Sequence, residues 1–158
     1  ILITMHRREN HHIMDKWFSE LESLATNNPR YDFIIPLHPN PNVQQYRHIL
    51  KRVKVIEPLD HPEFIRMIAA CRFIITDSGG IQEEASFLRK KCIVCREITE
   101  RVEGMGCFSC LCPTPYELRS SFGWMNSNKN YIPHSEEECP YGDGNAATYI
   151  LEVLKDEI

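Results

Sequence analysis

The chain has 158 residues, 42% of them hydrophobic and 25% charged, which is ordinary for one soluble globular domain with room for a real core. A formal net charge of -4 argues against a nucleic-acid binder, and no apolar run approaches the roughly 18 residues that span a bilayer. No secretory leader is expected, since Ile1-Leu2-Ile3 runs at once into Thr4 and the charged Arg7-Arg8-Glu9, and a start without Met in mid-strand suggests a piece of something longer.

Short apolar runs then alternate with amphipathic stretches, the rhythm of βαβ units feeding a parallel sheet. ILITM (1–5) reads as a strand, and 13–24 as a helix with Trp17, Leu21 and Leu24 at helical spacing. FIIPLH (33–38) predicts a strand, Pro39 and Pro41 break it, and 43–50 predicts a helix. VKVIEPL (53–59) is a strand, 61–70 a helix, FIITD (73–77) a strand, 81–88 a helix and CIVC (92–95) a further strand. Beyond Gly104 the pattern loosens into a short strand within 107–112, a helical piece over 116–121 and a polar surface loop over 126–140. A terminal helix, AATYILEVL, is opened by Asp143 or Asn145. No internal repeat is visible, so the expected fold class is α/β, one Rossmann-like doubly wound parallel sheet, whose ligands sit off the carboxyl ends of the strands.

The stretch FIITDSGGIQEEASFL (73–88) lies at such an end. A buried strand empties into Asp77-Ser78-Gly79-Gly80 at a helix start, where side chains are absent and free N–H groups carry the positive end of the helix dipole. That is an anion cradle, to which Ser78 would add a hydroxyl; the plainer alternative is a tight turn in which Ser78 only caps the helix. Two more strand-end loops, HRREN (6–10) and HPNPN (38–42), are expected to converge on it, gathering His6, Arg7, Arg8 and His38 around one anion. The alternative for HRREN is a solvated loop whose Arg and Glu pair locally. Of Glu83 and Glu84, about 100° apart on the helix, at most one would turn back toward a ribose diol.

Seven cysteines, an odd number set within apolar runs, favour reduced thiols in a cytosol-like compartment. Cys92-x-x-Cys95 with Cys107-x-x-Cys110 has the outline of a zinc ribbon. However, the pairs lack glycine-containing knuckles, and residues three apart on a strand point to opposite faces, so core cysteines are the better account.

In order, HRREN, PLHPNPNV, TDSGGIQEEA, REITERVEG and PYGDGNA make nearly the whole chain resemble the C-terminal half of the non-hydrolysing UDP-N-acetylglucosamine 2-epimerases. The resemblance implies the C-terminal, nucleotide-binding domain of a GT-B type architecture, 1–158 forming a single UDP-binding domain that lacks the N-terminal half. It implies that Ser78, Gly79 and Gly80 hold the diphosphate, Glu84 the ribose hydroxyls, Phe64 the uracil, and that Arg101 lies near the nucleotide. His6 matches an active-site histidine, while Arg7 and His38 match positions that contact a second, activating UDP-GlcNAc in bacterial members. The implied reaction interconverts UDP-GlcNAc and UDP-ManNAc without metal or nicotinamide. Its proton-transferring carboxylates would come from an N-terminal half supplied in cis or in trans, and homodimerisation is a further implication. The sequence departs from the family at Ser86, Arg89, Lys91, Ile98 and Val102, all near the segment that bears Arg101. A UDP-sugar glycosyltransferase of the same architecture and a non-catalytic nucleotide-binding or zinc-stabilised module are the competing readings.

Overall fold

The computed structural model describes residues 1–127 and 138–156. Six short strands, β1 (Leu2–Thr4), β2 (Ile34–Pro36), β3 (Lys54–Ile56), β4 (Ile74–Thr76), β5 (Cys92–Val94) and β6 (Ser109–Leu111), form one sheet. Its order is β3-β2-β1-β4-β5-β6 and every pairing is parallel. The chain runs outward from β1 to β3 and returns to build β4 to β6 on the other side. The direction of winding therefore reverses between β1 and β4, the position where such sheets open a crevice.

Alternation along the strands feeds two cores. Ile3, Ile35, Ile75 and Ile93 face a cluster completed by Trp17, Phe18 and Leu21 of α1 (Met14–Asn27) and by Phe122 and Met125 of α5 (Leu118–Ser127). Leu2, Ile74, Cys92 and Val94 face the opposite cluster, with Ile68 of α3 (His61–Ala70) and Ala85 of α4 (Gly79–Phe87). With both faces covered the strands read as continuous apolar runs, as parallel strands do. Cys92 and Cys95 lie on opposite faces, both fully buried, and burial pushes both thiols up from their ordinary range. They are packing residues, and all seven cysteines are free thiols.

Three elements differ from the sequence expectation. The helix expected over 43–50 is a single turn, α2 (Pro41–Gln44), followed by a 3-10 turn at Arg47–Ile49. Asn40 caps it by accepting from the Asn42 N–H at 2.9 Å, and Pro41, expected only to break the preceding strand, occupies the first helical position. HRREN is not a free loop, because Arg8–Ile13 forms a 3-10 helix leading into α1. The 116–121 piece is a 3-10 turn at Pro115–Glu117 followed by the longer α5, since Leu118, Phe122 and Met125 continue one apolar stripe. The terminal helix is α6 (Ala146–Asp156), and of the loop expected over 126–140 the part 128–137 lies outside the described residues. Among the described residues no helix is long and apolar enough to cross a membrane.

Arg89, one of the departures noted above, ends α4. Its N–H donates to the Ser86 carbonyl at 3.0 Å and the next N–H, of Lys90, to the Ala85 carbonyl at 2.7 Å, the two bonds of a Schellman cap. That cap sets φ at 54° on a residue with a Cβ, where glycine sits without strain. Arg89→Gly is therefore expected to stabilise the fold by about 1 kcal/mol, read as a higher denaturation midpoint at unchanged slope.

Candidate functional site

The crevice between β1 and β4 is organised by a single carboxylate. Asp77, fully buried at the end of β4, accepts from the backbone N–H of His6 at 3.1 Å, from that of Arg7 at 3.0 Å and from Asn10 Nδ2 at 3.1 Å. Asn10 Nδ2 also donates to the Cys95 carbonyl at 3.0 Å, and its Oδ1 accepts from Trp17 Nε1 at 3.2 Å. One pair of side chains thus ties the carboxyl ends of β1, β4 and β5 to helix α1. Beneath it the buried hydroxyls of Thr4 and Thr76 meet at 2.6 Å.

Above this clamp, the first two strand-end loops converge as expected. The rings of His6 and His38 stack with centroids 5.2 Å apart and planes 17° from parallel, and His6 Nδ1 lies 3.8 Å from Asp77 Oδ1. His38 titrates below the ordinary imidazole range because burial and then the neighbouring His6 disfavour its charge. Arg7 does pair locally, its Nε donating to Glu9 Oε2 at 3.0 Å, while Arg8 is exposed and takes no part.

The third loop is the start of α4. Ser78 occupies the N-cap position yet makes no side-chain bond to the helix, so the cap-only reading of Ser78 fails. Space is open around Gly80, where an added Cβ would meet nothing within 4 Å, while one on Gly79 would lie 2.9 Å from Glu100 Oε1. Bare N–H groups and an uncommitted hydroxyl make this helix start receptive to an anion. Gln82, fully buried, fixes the neighbouring segment by donating from Nε2 to the Ser78 carbonyl at 3.3 Å and accepting at Oε1 from the Thr99 hydroxyl at 3.2 Å.

Both glutamates of α4 are held. Glu83 accepts from Arg101 Nε, whereas Glu84 turns the other way, with Oε1 3.0 Å from Nε2 of His61 at the start of α3. Phe64, one turn along α3, packs partly buried against the second core. Tyr141, from PYGDGNA, accepts from the Gly104 N–H and donates to the Arg101 carbonyl, both at 3.1 Å, so the last motif braces the segment that carries Arg101. Ile98 and Val102 are exposed beside it and leave these contacts intact. Among the described residues no three of His, Cys, Asp and Glu are grouped to hold a metal.

Sequence reasoning singled out His6, His38, Ser78 and the glycines but gave no role to Asp77, Asn10, Gln82 or Glu100. A signal for the first two existed: a polar residue ending an apolar strand, and an Asn seven residues before the buried Trp17, are both positions where burial demands a partner.

Fold and site define a doubly wound α/β domain with an anion-receptive helix start at its switch point, the class of domain that houses nucleotides. The profile of the UDP-N-acetylglucosamine 2-epimerase family matches residues 1–155, and the chain belongs to that family. It is 40% identical to the UDP-N-acetylglucosamine 2-epimerase of Campylobacter jejuni, over 98% of this chain and 42% of that protein. It is 39% identical to that of Neisseria meningitidis, over 98% and 44%. The crystal structure of the Neisseria meningitidis UDP-GlcNAc 2-epimerase bound to UDP-GlcNAc superposes with a TM-score of 0.88 at 36% identity, over 98% of this chain and 44% of that one. That of Methanocaldococcus jannaschii in complex with UDP-GlcNAc and UDP gives 0.80 at 26% identity, over 98% and 44%. The chain thus spans less than half the length of these relatives.

Two outcomes follow from the clamp. Asp77→Ala leaves two backbone N–H groups and the Asn10 amide without their acceptor, and is expected to cost about 3 to 5 kcal/mol of stability, read by denaturant unfolding. The His38 ring is expected to titrate by NMR below about 6.5 and to move back upward in His6→Ala. Its lowered folded value means that its contribution to stability is complete above the unfolded value and is lost as pH falls through the folded one.

Proposed function

We propose that this chain is the nucleotide-binding half of an enzyme interconverting UDP-GlcNAc and UDP-ManNAc. The observation that carries the reading is the open start of α4, with its uncommitted Ser78 hydroxyl, at the switch point between β1 and β4. The diphosphate rests on the N–H groups of Gly79 and Gly80 and on Ser78. Glu84, oriented by His61, accepts from the ribose hydroxyls, Phe64 lies against the uracil, and Arg101 stands beside the phosphates. Relatives whose crystal structures hold UDP-GlcNAc or UDP support the ligand class.

The chemistry suits those groups. A proton leaves C2 as the C1–O bond breaks, and UDP departs with the electron pair, leaving a C1–C2 double bond. Return of UDP to C1 with a proton delivered to the other face of C2 completes the inversion. The charge that grows on the diphosphate is stabilised by the helix start and by Arg101. His6, held over Asp77, stands beside this centre in the active site. The two proton transfers at C2 require carboxylates that belong to the length these relatives have and this chain lacks. Arg7 and His38 form part of a separate subsite for a second UDP-GlcNAc. The seven free thiols suit a reducing, cytoplasmic compartment.

Calorimetric titration of UDP into the purified chain tests this. Saturable binding is expected, weakened about fivefold or more by Ser78→Ala and by Glu84→Ala at unchanged melting temperature. No binding by folded protein would refute the reading, and robust UDP-ManNAc formation by the 158-residue chain alone would refute the assignment of proton transfer to a missing half.

A further inference from the structure

The segment after β5 contains a carboxylate placed where an anion site would not be expected to have one. Glu100 Oε1 lies against Gly79, at 2.9 Å from where a Cβ would stand, and 3.6 Å from Arg101 Nη1. Its Oε2 accepts from Arg96 Nη1 at 2.7 Å. Glu100 therefore packs against the helix start and pairs with two guanidiniums at once, and the helix start and Arg101 are the cationic features that an incoming diphosphate would use. Its own carboxyl is held below the ordinary range, by its backbone N–H first and by Arg96 after that.

We propose that Glu100 is an internal counter-anion of this helix start, which competes with the diphosphate for the start of α4 and for Arg101 and rotates away when the nucleotide binds. The inference rests on the nucleotide reading given above and adds to it what sets affinity. The backbone around Glu100 is anchored on both sides: Thr99 donates to Gln82, the Arg101 N–H donates to the Thr99 hydroxyl at 3.1 Å, and Tyr141 holds the Arg101 carbonyl. The Glu100 side chain, 46% exposed, is free to rotate without moving that backbone. Arg96, by contrast, is only 8% exposed and cannot be left alone when Glu100 departs. A substitute carboxylate already waits: Arg96 Nε makes no hydrogen bond and stands 3.8 Å from Glu9 Oε2. Since Glu9 also accepts from Arg7, departure of Glu100 would draw on the same carboxylate that steadies Arg7.

A positioning role for Glu100, holding Arg96 and Arg101 ready for the phosphates, predicts the opposite effect of its removal, so the two are separable. UDP and uridine would be titrated calorimetrically into the wild-type chain, Glu100→Gln and Glu100→Asp at fixed ionic strength, with melting curves alongside. Glu100→Gln is expected to bind UDP about three- to fivefold more tightly, the scale of one solvent-screened charge pair, and to leave uridine unchanged. Glu100→Asp, whose shorter carboxylate reaches Arg96 but not Gly79, is expected to fall between, and decides the matter if the Gln variant folds poorly. Equal or weaker UDP binding by the folded variants overturns the role of Glu100 while the nucleotide site stands. No UDP binding by any of the three removes the nucleotide reading and this inference together.

Discussion

The buried carboxylate of Asp77 is the constraint on which the rest of the site depends. A charge-bearing side chain with no exposure is tolerated in a sheet interior only where donors surround it, and here the donors are the backbone of His6 and Arg7 and the amide of Asn10. The requirement runs both ways. Asp77 needs those N–H groups, and the segment after β1 is held in its path because they have no other acceptor. The 3-10 turn at Arg8–Ile13, the stacked rings of His6 and His38 and, through Trp17, the first turn of α1 are all attached to this one junction.

Around the junction the charged side chains form an alternating chain, Arg7, Glu9, Arg96, Glu100, Arg101 and Glu83, from the end of β1 across β5 to the face of α4. Most of its members are partly exposed, so each pair contributes little to stability by itself. What the chain provides is placement. Glutamates share guanidiniums between loops that are distant in sequence, so the chain of pairs links the helix start to residues as far away as Arg7. Uncharged braces, Gln82 to Thr99 and Tyr141 to Gly104, anchor the backbone that carries these ionic groups.

The residues expected to depart from the family pattern are accommodated where packing permits. Arg89 accepts a left-handed backbone because the Schellman cap and the following strand leave the chain no alternative path. Ser86 in the interior of α4 returns its hydroxyl to the Gln82 carbonyl at 2.8 Å, satisfying a polar group that would otherwise be buried alone. Ile98 and Val102 project into solvent, where side-chain identity has little effect on the contacts of Arg101.

The sequence by itself determined the sheet and the place of the candidate site. Apolar runs of four or five residues between amphipathic stretches can be buried only as strands covered on both faces, and two glycines at a strand end leave only a tight turn or a bare helix start. The single-turn α2 and the longer α5 were misjudged because capping by Asn40 and the packing of Phe122 against Phe33 and Phe73 outweigh local pattern. Only the tertiary structure decided which polar residues serve which partners. It set Glu84 on His61 and Glu83 on Arg101, put Asn10 under Asp77, and brought Glu100 to Gly79. Those choices join residues 18 to 67 positions apart, and no periodicity within one segment encodes them, because they are set by which strand ends the winding of the sheet brings together.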